Sequence, residues 1–381
     1  MIKQNKKIFI CATEQSGDNI GYNIISRIIQ FDKNIIFDGV GGSKMFPLLS
    51  NQYYSLKNFN SMGIIEILFS LNKYIKMISF LKKKILINNY DVVITIDSPD
   101  FNYPLIKKLR KNNFNNPIIQ VVAPSVWAWR KNRAKKFSKV FNEILVLFEF
   151  EIDYFKKHGL NTTHMGHPIY YIKNSKPSQL HFDNNIAFLP GSRISELNKL
   201  LPYFKIAYEY LLQNNSKITI FIPTLPHLKT TIKNFTKSWK MKVIISSNNH
   251  DINEYYYYST KALVCSGTAS LEIAKRNIPQ LVIYKLNFIT ELLAKKFINV
   301  NFANIINILE NKMIIPEITN SKLNKKSFLV EFKKLMHNDK DNLKQIRDVQ
   351  SSINKIEADK PPYSIAVERI ISYLPNFSKA N

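Results

Sequence analysis

Short apolar runs rich in β-branched residues recur along the chain, and between them apolar residues return every three or four positions. The first series predicts strands at residues 7–12, 35–40, 91–96, 118–122 and 144–148, with helices between them such as 20–30 and 103–112. Strands alternating with helices therefore predict a parallel sheet with crossover helices. The pattern restarts at residues 186–189, 218–222, 242–245, 262–265 and 280–284, after a polar stretch at 173–185 that reads as a linker. The expectation is an α/β protein with two Rossmann-like domains facing a central cleft. The first would span 1–172 and the second 173–355. In the remainder, 356–381, a Pro-Pro-Tyr break at 361–363 precedes a helix at 364–373, placed to pack back on the first domain.

Ligands of such sheets lie beyond the carboxyl ends of the strands, so the loops leaving the predicted strands are where chemistry is expected. The first carries Glu14, Gln15, Ser16, Gly17 and Asp18. Gly17 permits a tight turn, and the helix start could hold an anion or hydroxyl, with Asp18 equally suited to capping that helix. The spacing is not that of a dinucleotide fingerprint. A second glycine loop, Gly39-Val40-Gly41-Gly42-Ser43, reads as a close approach of backbone to ligand or as a simple turn. Thr95 to Asn102 places two carboxylates at a strand end: Asp97 is placed to take a proton from a hydroxyl, while Asp100 suits the cap of the next helix. In the loop Pro124-Ser125-Val126-Trp127-Ala128-Trp129-Arg130, the tryptophans are either platforms for sugar rings or core packing, and Arg130 could meet phosphate.

In the second series, Gly191, Ser192 and Arg193 sit between strand and helix, where backbone amides and a guanidinium fork make a diphosphate cradle. Ser266, Gly267 and Thr268 repeat that design, with Glu272 one turn into the helix and able to hold ribose hydroxyls. Two such loops without a Walker lysine point to a nucleotide-sugar rather than to ATP hydrolysis.

Composition changes this picture in one respect. Lysine plus arginine number 54 against 28 acidic residues, a formal charge of +26, which favours anionic partners or reflects codon bias on solvated faces. The basic residues are dispersed rather than interleaved with aromatics, so a nucleic-acid-binding protein is the weaker alternative and no nucleic-acid partner is expected. Cys11 and Cys265 lie apart in apolar runs and read as reduced core thiols. The amino terminus lacks a signal-peptide cleavage pattern, and no stretch reaches the roughly 20 apolar residues of a transmembrane helix. One segment is nonetheless unusually apolar: Ile64, Ile67, Leu68 and Leu71 lead through Phe80 and Leu81 to Lys82-Lys83-Lys84. It reads as an interfacial membrane helix or as a core helix with a basic end.

Taken in order, EQSGDNIG, GVGG, SMGIIEIL, IDSPDFN, PSVWAWR, the GHP of Gly166 to Pro168, LPGSR, SGTASLE, AKKF and FAN resemble the lipid-A-disaccharide synthase family from about residue 8 to 310. PSVWAWR and IDSPDFN are the specific pieces. Three departures stand out: Thr13 and Gln15 replace the usual Gly and Ala around Glu14, Ala303 replaces proline, and Glu149 lies in a Phe-Glu-Phe-Glu run. The resemblance implies a GT-B fold with the acceptor on the first domain and the UDP-sugar on the second. It implies inverting transfer of 2,3-diacylglucosamine from UDP to 2,3-diacylglucosamine 1-phosphate, without metal or other cofactor. Asp97 would be the general base and Arg193 would stabilise departing UDP. Gly191, Ser192, Ser266, Gly267, Thr268, Glu272 and Asn304 would line the donor side. Glu14, Ser16, Gly17, Asp18, Ser125, Trp127 and Arg130 would face the acceptor. The implied location is cytoplasmic, peripheral on the anionic inner membrane of a Gram-negative-type bacterium, with a homodimer left open. A UDP-N-acetylglucosamine epimerase-like protein or another glycolipid transferase is the alternative of the same fold.

Overall fold

The first strand shows why the apolar runs do not alternate. In β1 (Lys7–Ala12), Phe9 and Cys11 join one apolar core while Ile8, Ile10 and Ala12 join another on the opposite face. Both faces are covered, so every position past the first is apolar. The computed structural model describes residues 5–59, 66–128, 130–171, 185–214, 217–285 and 301–375; the side chains of 66–71, 170 and 249–250 lie outside that description. The expected linker therefore falls outside the described residues up to residue 184. Contacts divide the chain into two compact units, Met1–Pro168 with Ile356–Asn381, and Ile169–Lys355.

The first unit is built from β1, α1 (Gln15–Phe31), β2 (Ile36–Gly41), β3 (Asn51–Ser55), α2 (Glu66–Asn88), β4 (Val92–Ile96) and α3 (Pro99–Lys111). It continues with β5 (Ile118–Val121), α4 (Arg133–Phe137), β6 (Glu143–Val146), α5 (Ile152–Lys156) and β7 (Asn161–His164). All pairings are parallel, in the order β3-β2-β1-β4-β5-β6-β7. One face packs α2 and α3 through Met77, Leu81, Ile85, Leu105 and Leu109. The other packs α1 through Ile20, Ile24 and Ile28. It also takes Ala366 and Ile370 from the carboxyl-terminal helix, which belongs to this unit. That helix is fixed by charge as well: Arg369 donates to both oxygens of the fully buried Glu143 at 2.7 and 2.9 Å, and Arg27 of α1 lies 5.0 Å over the Tyr363 ring.

The second unit runs β8 (Asn185–Leu189), α6 (Ile194–Asn214), β9 (Thr219–Pro223), α7 (Lys229–Thr236), β10 (Val243–Ser246), α8 (Asn249–Tyr257), β11 (Ser259–Cys265), α9 (Thr268–Lys275) and β12 (Gln280–Tyr284). After residues 286–300, which are not described, come α10 (Ile305–Glu310), β13 (Glu317–Thr319), α11 (Lys325–His337) and α12 (Asp339–Ile353); the last described helix, α13 (Pro362–Ile371), is the one packed on the first unit. Its sheet is also all parallel, ordered β10-β9-β8-β11-β12-β13.

Each sheet reverses its winding once, between β1 and β4 in the first and between β8 and β11 in the second. At such a switch point the helices leave in opposite directions and open a crevice beyond the strand ends. The loops after β1 and β4, and those after β8 and β11, carry four of the motifs singled out above, while the second glycine loop lies at the end of β2 and the tryptophan loop follows β5. Among the described residues no helix is long and apolar enough to cross a membrane.

Candidate functional site

At the switch point of the first unit, the loop after β1 leads straight into α1, leaving Glu14 and Ser16 exposed and Gly17 buried. A Cβ on Gly17 would come within 3.2 Å of the Ala12 Cβ, so a small residue keeps the helix close to the strand. Thr13 Oγ1 donates to Ser98 Oγ at 2.7 Å, tying this loop to the one after β4.

Asp18 corrects the sequence reading. It neither caps α1 nor faces an acceptor; it lies in the first turn of the helix, fully buried. Its Oδ1 accepts from the amides of Gly42 at 2.7 Å and Met45 at 3.1 Å, and its Oδ2 from that of Lys44 at 3.1 Å. A Cβ on Gly42 would stand 2.5 Å from Oδ2, which explains the second glycine loop as a carboxylate clamp rather than a ligand approach.

Nine non-glycine residues among those described have positive φ, and five are asparagines, which tolerate it in ordinary turns. The other four are Asp97, Ser98, Val122 and Arg130, with φ of 49, 45, 68 and 54°. All four lie in the loops that follow β4 and β5. Such conformations cost of order 1–3 kcal/mol each and cluster where function over-determines the backbone. Here the Asp97 carbonyl accepts from Asn102 Nδ2 at 2.7 Å and Gln120 Nε2 at 3.1 Å. Gln120 is itself held by Thr95 Oγ1 at 2.6 Å. The partly buried Asp97 side chain is thus presented at the strand end by a rigid main chain.

Asp100 departs from the capping role expected of it. Ser98 is the residue before the helix and makes no side-chain cap. Asp100 sits in the first turn, exposed, and pairs with Arg130 at 3.3 Å and with Arg133. Sequence reasoning passed over Arg133, whose signal was its spacing of three residues from Arg130.

Trp127 is buried, its ring edge-on to Phe150 at 5.6 Å, and its indole N–H donates to Glu151 Oε1 at 3.0 Å. This favours the packing alternative for Trp127 over a sugar platform. Ser125 and Arg130 are exposed beside it, and Trp129 lies outside the described residues. Glu151 also accepts from the amides of Leu147 and Phe148, both at 3.2 Å. Burial pushes its carboxyl up to about 7 despite those donors. Burial likewise holds His167, packed against Phe148, down at about 4, and therefore neutral.

In the second unit, Gly191 takes φ of 125° in the loop after β8, with Ser192 and Arg193 exposed. The amides of Ser192 and Arg193 are engaged by Glu196 Oε2 at 2.8 and 3.3 Å. An anionic oxygen already occupies the cradle expected for phosphate, and it comes from the protein's own helix. Opposite, Gly267 takes φ of 147° at the start of α9, and a Cβ there would meet nothing within 4 Å. Thr268 beside it is exposed, and Ser266 Oγ donates to the Ala303 carbonyl at 2.9 Å. Glu272 is half-buried and bonded to Arg276 at 3.0 Å, whose guanidinium lies over Tyr256.

Asn304 is a second correction. It is buried and caps α10, accepting from the Ile306 amide at 2.9 Å while donating to Ser270 Oγ at 2.6 Å. Glu317 holds the amides of Ala303 and Asn304 at 2.9 and 2.8 Å, so this loop is fixed without the proline its sequence lacks. Both cysteines are free and buried; burial raises Cys265 to about 12 and Cys11 further. Among the described residues no group of three or more His, Cys, Asp or Glu is placed to hold a metal. Ile64 lies outside the described residues, as do the side chains of Ile67, Leu68 and Leu71, whose backbone falls in α2.

Two parallel α/β units, each with paired loops at its switch point, make the two-domain GT-B fold. Solved structures bear on the fold alone. A Listeria monocytogenes protein assigned as a UDP-N-acetylglucosamine 2-epimerase matches with a TM-score of 0.67 at 11% identity, over 97% of this chain and 96% of that one. MurG of Acinetobacter baumannii matches with a TM-score of 0.57 at 12% identity, over 96% and 99%. Sequence is more specific: a profile of the lipid-A-disaccharide synthetase family matches residues 8–366. The lipid-A-disaccharide synthase of Rickettsia canadensis is 33% identical over 380 residues, 96% of this chain and 97% of that one. The chain belongs to the lipid-A-disaccharide synthetase family.

Proposed function

We propose that the protein transfers 2,3-diacylglucosamine from UDP to the 6-hydroxyl of 2,3-diacylglucosamine 1-phosphate, with inversion. The observation that carries the reading is the pair of consecutive left-handed residues, Asp97 and Ser98, held rigid at the end of β4 beside the first switch point. As the new C–O bond forms, the hydroxyl proton passes to the Asp97 carboxylate. As the old bond breaks, its electron pair goes to the diphosphate of UDP. Charge growing there would be met by Arg193, by the amides of Ser192 and Arg193, and by the start of α9 at Gly267 and Thr268. For the diphosphate to use those amides, the Glu196 carboxylate must move off them. Both substrates carry acyl chains, and α2 exposes Ile75, Phe80 and Ile87 with Lys84 set over the Phe80 ring at 5.6 Å. That mixture supports peripheral contact with an anionic membrane surface. The test is UDP release by purified protein. It should require both acylated substrates, and UDP formed from the donor alone, or none formed with both, would overturn the reading.

A further inference from the structure

The loop and short helix after β5 hold a feature that the chemistry above leaves unused. Arg130 and Arg133 converge on one carboxylate, that of Asp100. Lys136, three residues further on, brings a third cation to the same cavity of about 400 Å³. Its apolar wall includes Tyr103, whose ring stacks on that of Phe137 at 5.5 Å between centroids. Arg133 is largely withdrawn from water, its side chain 15% exposed, so its guanidinium needs a counter-charge. The counter-charge that Asp100 offers is a loose one. Asp100 is 73% exposed, and pairs open to solvent are weak and readily exchanged. Among the residues lining the cavity three cations stand beside one carboxylate, an excess of positive charge that suits a phosphomonoester, which carries about −1.5 to −2 at neutral pH. Arginine forks suit its oxygens. Asp100 lies three residues beyond Asp97, a reach of at most about 11 Å along the chain. The two groups that must be placed, the attacking hydroxyl and the anomeric phosphate, lie at opposite ends of one hexose.

We propose that this cavity is the subsite for the acceptor's anomeric phosphate, with Asp100 as the resident carboxylate that the phosphate displaces from Arg130 and Arg133. The proposal rests on the transfer reading and sharpens it: selection for a phosphorylated acceptor would reside in this cluster.

The experiment compares steady-state kinetics on the acceptor and on the same acceptor lacking its phosphate, for the wild type, the double variant Arg130→Gln with Arg133→Gln, and Asp100→Asn. The wild type should prefer the phosphorylated acceptor by about 10- to 100-fold in KM, the size expected of lost charged hydrogen bonds. The double variant should bring that ratio close to one while still binding UDP. Asp100→Asn should lower the KM for the phosphorylated acceptor. A ratio unchanged in the double variant, or a loss equal on both acceptors, overturns the subsite. A binding arm with soluble glucosamine 1-phosphate decides the matter without turnover: the double variant should lose binding at least tenfold. If the wild type turns over neither acceptor, the transfer reading fails while this arm still judges the cavity. Vesicles of anionic phospholipid separate the sources of phosphate. If the double variant loses vesicle binding but keeps its preference between acceptors, the cavity holds a lipid headgroup and the proposal is overturned.

Discussion

Asp18→Ala separates a clamp from a substrate contact. In the native fold the carboxylate satisfies three amides, those of Gly42, Lys44 and Met45, and no part of it reaches solvent. Truncation leaves three donors without acceptors in or beside the core. At about 1–3 kcal/mol for each unsatisfied group, less what loop relaxation and entering water recover, the loss should be about 4 kcal/mol. That is a large share of the 5–15 kcal/mol that typically holds a domain together. Asp18→Asn should be milder. Its oxygen can keep the bonds to Gly42 and Met45, while its NH2 meets the Lys44 amide as donor against donor, for a loss of about 1–2 kcal/mol. The assay is urea unfolding of both variants, with UDP binding as a check that the second unit is intact. The expected order of stability is wild type, Asn, Ala. An Ala variant that unfolds at the wild-type midpoint yet fails to use acceptor would refute the clamp and return Asp18 to the substrate.

Three further outcomes are expected. Arg193→Ala should lower kcat by about 100- to 1,000-fold, as for loss of other transition-state donors, and near-normal turnover would count against its role. Because the fold holds the Glu151 proton up to about 7, above the ordinary carboxylate range, stability from this group is fully present below pH 4.5 and lost as pH rises to 7, by about 3 kcal/mol. Tryptophan fluorescence of the wild type should therefore titrate near pH 7, and the same titration in Glu151→Gln would show that another group is responsible. Replacing Ile67, Leu68 and Leu71 with serine should move the protein from membranes to the soluble fraction; unchanged distribution or unfolding would mark the segment as core.

The two sheets were legible because their central strands are covered on both faces and so are written in unbroken apolar runs. Residues 7–12 and 280–284 match β1 and β12 to the residue. The strands not foreseen are β3, β7 and β13, with sequences NQYYS, NTTH and EIT. Each is the edge of its sheet among the described residues, where polar residues cost little. The site loops were legible from small residues at strand ends, but the direction of each side chain was not. Asp18 and Asn304 are polar residues inside such motifs, and only the fold reveals that one grips three amides and the other caps a helix. Glu196 was passed over for the same reason, since nothing local says that a helix glutamate reaches back to the amides of Ser192 and Arg193.

The central claim is that Asp97 takes the acceptor proton. The direct measurement is UDP release, with both acylated substrates saturating, by wild type, Asp97→Asn and Asp100→Asn. A general base contributes about 10²- to 10⁴-fold. Asp97→Asn should lose turnover on that scale while keeping its melting temperature and UDP affinity, and Asp100→Asn should still turn over. Wild-type release by Asp97→Asn, with Asp100→Asn folded and inactive, would contradict the account and move the base to the other carboxylate.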